Sequence, residues 1–514
     1  MTLNAISTTL VRLFVTRTRM LQWTTAAQTA RFFRAERGSE SIWREMILVP
    51  VLVGIITLLI VAANSAALLV AAPVLTLWFI SPQVAYWISR PTMRSEPALS
   101  VEQEVALRHL ARQTWLFFEQ TVGPEDHWLP PDHFQEAPRL IAHRTSPTNI
   151  GLLLTSTLAA YDLGYTGQLD LMTRLQATFD TLDQLEHYRG HLLNWYDTES
   201  LAALAPRYVS TVDSGNLAGC LVVIEQACLA FPNSFVIRPQ RWQGLLDTLG
   251  LLEERLDELY SKSHEVPVTH LRTYMVSLEQ TIQAILQAPD QWASLIEWLN
   301  HEAWETLSSL IIAVLDSSSP NAETLSGLRI TSERLHHHLT SMQRDMELLL
   351  PWLQPVSQPP ALFIQAERDS LLAVAWQTLL ASLPTSPRLG ELTAIREMLA
   401  SCLSDLQTHL PEHDASSSQV QDAKIWCAQL EERLKTTQAQ VSALLLGYRA
   451  LATQAETRFQ AMDFGFLFNA QRKVFHIGYN VMGDRLDDNF YDLLASEARL
   501  ASFLAIAKRE VPPS

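Results

Sequence analysis

Asp, Asn, Arg, Trp and Tyr crowd into three short strings: HRTSPTNIG (His143 to Gly151), HLLNWYDTES (His191 to Ser200) and YVSTVDSGNLAG (Tyr208 to Gly219). The first and third run straight into apolar helical stretches. A helix start offers free backbone N–H groups and a positive dipole, so Arg144, Thr145 and Asn149 are placed to hold a hydroxyl or carboxylate. In the second string Trp195 and Tyr196 stand beside Asn194 and Asp197. Aromatic faces stack on the apolar faces of sugar rings, while amides and carboxylates hold hydroxyls. Asp213 and Asn216 repeat the pattern, with Gly215 allowing close backbone approach. Upstream, the loop PPDHFQE adds Asp132, Gln135 and Glu136. Together these twelve positions are the candidate substrate-binding residues.

Plainer readings stand beside each. Ser146 and Thr148 serve as caps, which need only a hydroxyl. One of Trp195 and Tyr196 is a core anchor, and the sequence does not say which. Asp197 suits a turn, Asp213 or Ser214 suits a cap, and a loop carboxylate pair is usually solvated or salt-bridged. Glycoside chemistry needs two carboxyls about 5–5.5 Å apart in retaining enzymes and farther apart in inverting ones. Sequence alone does not show which acids converge. HHH (His336 to His338) points three ways around a helix, and HEAWE (His301 to Glu305) lacks the second His of a zinc-protease motif.

These residues need elements to position them. The chain has 514 residues, 48% hydrophobic and 18% charged, enough for more than one unit with a large core. Glycine is scarce and Leu, Ala, Glu and Gln dominate, which predicts helix. A net charge of -16 argues against nucleic acid as partner. Residues 1–45 differ, with seven Arg against three Glu. Cys220, Cys228, Cys402 and Cys427 show no CxxC spacing, so no metal or cofactor site is expected.

From Met46 to Ser89 no side chain is charged. One membrane span needs about 20 apolar residues, so two helices are predicted, turning at Asn64-Ser65. Arg residues flank both ends, which puts both flanks in the cytoplasm. Ser100 is expected to cap a helix to Thr121, whose apolar face includes Leu107, Leu110, Trp115 and Phe118. Further helices are predicted from Pro147 to Leu163, ended by Gly164, from Gln168 to Tyr188, and, capped by Asp213 or Ser214, on to about Ala230. Leu245 to Tyr260 carries heptad-like spacing. FGFLFNAQRKVFHIGYN reads as a hairpin turning at Asn469-Ala470, and Tyr491 to Lys508 as a helix.

The order and wording of the three strings resemble the cyclisation domain of cyclic β-1,2-glucan synthase, a glycoamylase-like α/α-barrel. The resemblance extends to LPPDHFQEAP (Leu129 to Pro138), DFGFLFNAQRKVFHIGYN (Asp463 to Asn480) and YDLLASEARLASFLAIAK (Tyr491 to Lys508). It implies a mostly α fold: a two-helix transmembrane hairpin, then an incomplete α/α-barrel with a long helical, coiled-coil-like insertion. The divisions are a basic juxtamembrane segment over 1–45, the hairpin over 46–89 and a linker over 90–100. The first part of the barrel spans 101–236, the insertion 237–461, and the return to the barrel 462–514. The implied activity is ring closure of a linear β-1,2-glucan by intramolecular transglycosylation, with no cofactor. The implied setting is a multi-pass protein of a bacterial inner membrane. Its soluble domain is cytoplasmic, and glycosyltransferase and phosphorylase-like modules are its partners. The resemblance puts the catalytic carboxylates beyond Ser514, so this stretch alone is expected to be inactive. A β-glucan hydrolase and a non-catalytic membrane-anchored scaffold are the alternatives.

Overall fold

A computed structural model describes residues 14, 43, 46–89, 99–135, 140–236, 238–260, 266–286, 288–317, 322–367, 370–384, 386–410, 418–491 and 498–513. Most of the basic segment 1–45, most of the linker, Glu136 and residues 492–497 lie outside the described residues. The chain divides into two compact units, Met1–Leu99 and Ser100–Ser514.

In the first unit, α1 (Leu48–Ala63) and α2 (Leu68–Ser89) fold back on each other through a single 3-10 turn, Ser65–Ala67. Asn64 makes the reversal: its side-chain oxygen accepts from the Ala66 N–H at 3.1 Å. The turn sits where the break in the apolar run predicted it. Outward residues such as Leu58, Leu69 and Val70 are exposed. The stretch Leu48–Ile88 is long and apolar enough to cross a membrane.

The second unit is mostly helical with a few short strands. Its first helix, α3 (Val101–Thr121), starts at a capping box. Ser100 accepts from the Gln103 N–H while the Gln103 side chain accepts from the Ser100 N–H. Trp115 and Phe118 are buried as expected, but Leu107 and Leu110 are exposed. Only the C-terminal half of α3 reaches the apolar cluster of Leu153, Ala160 and Tyr165.

Next, α4 (Pro147–Leu163) is capped by Ser146 and ended by Gly164 at φ +89°, both as local signals predicted. The following helix, α5 (Gln168–Leu182), is shorter than expected. Residues to Tyr188 instead enter a hairpin, β4 (His187–Tyr188) with β5 (His191–Leu192), turning at Arg189-Gly190.

The long apolar helix α6 (Thr211–Ala230) packs on α4. Its stretch Thr211–Asn233 is also long and apolar enough to cross a membrane. Its Leu217, Leu221 and Ile224 are nevertheless core residues at 4%, 1% and 0% exposure. Burial on several sides explains the apolarity.

Helices continue with α7 (Pro239–Tyr260), α8 (Val266–Ile285), α9 (Trp292–Trp298), α10 (Trp304–Ser317) and α11 (Ala322–Leu349). In α7 the buried Leu245, Leu249, Leu252 and Leu256 keep the predicted four-three-four spacing. These five helices share one core. Then come α12 (Leu353–Ser357), α13 (Ala361–Gln365), α14 (Leu371–Ser382), α15 (Ile395–Thr408) and the 44-residue α16 (Ser418–Ala461). Residues from Leu349 onward belong to the same core as Leu129 to Phe231. The long α16 lies directly against α6.

The chain then forms a hairpin, β8 (Phe468–Asn469) with β9 (Val474–Phe475), whose turn is residues 470–473 rather than Asn469-Ala470. The final described helix is α17 (Arg499–Ala507). It docks on α6 because Gly215 has no side chain: a Cβ there would sit 2.7 Å from the Ala501 backbone nitrogen.

Candidate functional site

Short strands bring the polar strings together. In the first, β3 (Arg144–Thr145) pairs with β6 (Tyr196–Asp197), putting Arg144 opposite Asp197 and Thr145 opposite Tyr196. The second joins β7 (Tyr208–Ser210) to β10 (Gly478–Asn480), which also pairs with β11 (Arg485–Leu486). Asn194 is tied to β7 by its N–H donating to the Tyr208 carbonyl at 2.7 Å.

Ser210, rather than Asp213 or Ser214, caps α6; its hydroxyl accepts from the Asp213 N–H at 3.2 Å. This moves the expected cap back by three or four residues. The consequence is chemical: Asp213 falls in the first turn and its carboxylate is free of capping.

A continuous chain of contacts follows. Asp213 Oδ1 accepts from the Thr148 hydroxyl at 2.6 Å, and the Thr148 oxygen accepts from the Asn216 amide at 3.1 Å. With the Asn194 amide assigned from its neighbours, its nitrogen donates to Asp213 Oδ2 at 2.9 Å and its oxygen accepts from Trp195 Nε1 at 2.9 Å. The Arg144 guanidinium lies over the Trp195 ring at 4.9 Å. Arg144 in turn donates to Asp132 Oδ2 through Nε at 3.2 Å and a terminal nitrogen at 2.9 Å. The Asn149 amide donates to Asp132 Oδ1 at 3.3 Å.

Seven of the candidate residues thus meet: Asp132, Arg144, Asn149, Asn194, Trp195, Asp213 and Asn216. They come from the N-terminal ends of α4 and α6 and the loops before them. Burial raises the Asp132 carboxyl pKa, but hydrogen bonds from His133, Arg144 and Asn149 outweigh it, and the net shift is downward. The group is a fixed anion.

The other candidates sit elsewhere. Tyr196 is the core anchor of the aromatic pair, with no exposure. Its hydroxyl donates to the Glu186 carbonyl at 2.5 Å and accepts from the Leu193 N–H at 2.6 Å. Burial pushes its pKa up. Thr145 is fully buried. Asp197 closes a turn, accepting from the Ser200 hydroxyl at 2.7 Å and N–H at 2.8 Å; those bonds lower its pKa. Gln135 is exposed on β1 (Phe134–Gln135), which pairs with β2 (Leu140–Ile141).

Three features escaped the sequence reading. Thr148, read as a cap, bridges Asp213 and Asn216. Asp126, buried at 8% exposure, accepts from His143 Nδ1 at 2.8 Å and from the Thr198 hydroxyl. The Asp126 hydrogen bond raises the His143 pKa. Tyr208 donates to Asp487 at 3.3 Å, bringing the return segment beside Asn194. No spacing signal links 126 to 143 and 198, or 208 to 487. The HHH run does diverge: His336 stacks on Trp304 while His338 Nε2 meets the Arg241 carbonyl.

No protein-family model matches the chain. It is 30% identical over 514 residues, 99% of its length, to Cyclic beta-(1,2)-glucan synthase NdvB of Rhizobium meliloti (strain 1021). It spans 15% of that protein's length. The aligned stretch contains every string and loop described above. Along that stretch, the chain is a relative of cyclic β-(1,2)-glucan synthase.

Proposed function

We propose that the site at the starts of α4 and α6 binds a linear β-1,2-glucan. In this reading the chain is part of a membrane-bound cyclic β-(1,2)-glucan synthase. A glycoamylase-like domain there closes the glucan into a ring. The observations that carry the reading are the 30% identity to the synthase over 99% of the chain and the meeting of seven polar and aromatic residues at the starts of α4 and α6. Trp195 offers its ring to a glucose face, held in place by Arg144 and Asn194. Asp132, Asn149, Asp213 and Asn216 offer acceptors and donors to hydroxyls.

Ring closure by transglycosylation needs no nucleotide sugar and no metal. An enzyme carboxylate attacks the anomeric carbon of an internal linkage, and the reducing-end portion leaves with a proton from a second carboxyl. The hydroxyl at the chain's own non-reducing end then displaces the enzyme carboxylate, giving its proton back to the second group. None of the residues named here is assigned to either carboxylate. Residues 48–88 serve as the membrane hairpin, with both Arg-bearing flanks on the cytoplasmic side of a bacterial inner membrane.

The test uses the full chain in lipid nanodiscs, titrated calorimetrically with linear β-1,2-gluco-oligosaccharides and with β-1,3 isomers as controls. Linkage-selective binding that Trp195→Ala and Asp213→Ala weaken supports the reading. Equal binding by these variants, or none by the parent, leaves a non-catalytic scaffold. In the complete protein, ring products separate cyclisation from hydrolysis, which releases shorter linear chains.

A further inference from the structure

Helices α3, α7 and α8 enclose a trough of about 470 Å³ on the second unit. The floor is α7, which packs against α3 on one side and α8 on the other. Floor residues recur at Gln243, Leu246, Gly250 and Glu253, a run of about 15 Å at roughly 1.5 Å per residue. The walls carry exposed apolar side chains, with Val105 of α3 62% exposed and Val276 of α8 44% exposed. Nothing lies within 4 Å of a Cβ built on Gly250, so the floor dips where a neighbouring side chain would enter.

The titratable residues lining the trough are His109, Asp247, Glu253 and Glu279, and the cations beside it are already paired. Arg108 is occupied by Asp247 at 2.7 Å, Arg272 by Asp257 at 2.6 Å, and His109 by Glu254 at 3.0 Å. Among the described residues Glu279 accepts only from the neutral Gln283 amide. Glu253 makes no hydrogen bond or ion pair with any described residue. Burial raises its pKa, and repulsion from Asp257 and Glu279 adds to that, against a partial offset from Arg272.

Three helices around an open trough, exposed valines on two of them, and two carboxylates without an ion pair among the described residues define one kind of occupant. We propose that this trough docks an amphipathic helix of a partner protein. Its apolar stripe packs on Val105, Leu246 and Val276, and its Lys or Arg residues meet Glu253 and Glu279. Helix-in-groove recognition reads anchors at i, i+3 and i+4, the spacing that the α7 floor presents.

The experiment uses the full chain in nanodiscs and a 14-residue Leu/Lys amphipathic helix, a length of ~21 Å, carrying a benzophenone on its apolar face. After irradiation, mass spectrometry locates the adducts. The expected result is adducts on α3, α7 and α8, absent with a Leu/Glu peptide. The Glu253→Gln/Glu279→Gln variant reduces them about tenfold, and Gly250→Phe abolishes them. Peptide partition into lipid is common to all variants and cancels in the comparison. Circular dichroism confirms that the variants are folded. Adducts placed elsewhere, or equal yields in the folded variants, overturn the proposal. A parent that sediments as a dimer and a Gly250→Phe variant that sediments as a monomer also overturn it, by making a second copy the occupant.

Discussion

The Asn194 amide nitrogen stands 2.9 Å from Asp213 Oδ2, while its oxygen takes the Trp195 indole N–H at the same distance. One side chain therefore fixes both the carboxylate of the α6 first turn and the orientation of the one half-exposed aromatic in the site. Removing it leaves a partly buried carboxylate short of a donor and an indole N–H short of an acceptor. Asn194→Ala is expected to lower oligosaccharide affinity about tenfold, and folding stability by about 1–2 kcal/mol. Asn194→Asp is expected to be worse, because it sets two carboxylates against each other. Calorimetry and urea unfolding of the same preparations check both effects.

Arg144 forks onto Asp132 and covers the Trp195 ring. Lysine keeps the charge but loses the fork and the planar stacking. Arg144→Lys is therefore expected to lose most of what Arg144→Ala loses, several-fold in oligosaccharide affinity. A titration in which Lys fully restores binding would show that charge alone matters.

His191 is fully buried and donates from Nε2 to the Asp463 carbonyl, 2.7 Å away. Burial depresses its pKa to about 4. The unfolded value is near 6.5, so the unfolded chain takes up this proton first as pH falls. Its contribution is complete above about pH 6.5 and is lost between there and about pH 4, up to about 3 kcal/mol. His338 and His187, also lowered by burial, act in the same direction. Asp345 opposes them. Burial raises its pKa to about 6, so the folded state takes up that proton first. Urea unfolding at pH 7.5, 6 and 5 is expected to show falling stability, with a shallower slope in His191→Gln.

Gly215 lets α17 approach α6. Because the obstructing atoms include the Ala501 backbone, no rotamer change relieves the clash. Gly215→Ala is expected to cost about 1–3 kcal/mol, and hydrogen exchange should rise over residues 499–507. Unchanged protection there would mean that the two helices shift together to accommodate the methyl.

Much of the helical frame was legible in the sequence because its signals are local. Ser100, Ser146 with Pro147, and Gly164 act on backbone groups within four residues of themselves, so they mark helix ends in any tertiary setting. The uncharged run around Asn64-Ser65 marked a hairpin by length alone. Local signals failed where packing had the deciding vote. Leu107 and Leu110 have the right period, but no core reaches them. Residues 183–188 continue a helical pattern, yet turn into a hairpin that delivers His191 to Asp463.

The site divides in the same way. The sequence by itself determined which polar residues stand near the starts of α4 and α6. Only the tertiary structure decided that Tyr196 goes inward and leaves Trp195 under Arg144. It also decided that Ser210 does the capping, which frees Asp213 to meet Asn194 and Thr148. The pairing of β7 with β10 is equally a tertiary fact, since it brings Asp487 to Tyr208 across hundreds of residues. The reason is physical: capping and turn bonds close over a few residues. Convergence of side chains depends on which distant segments share a core, and that choice is made by the whole packed chain.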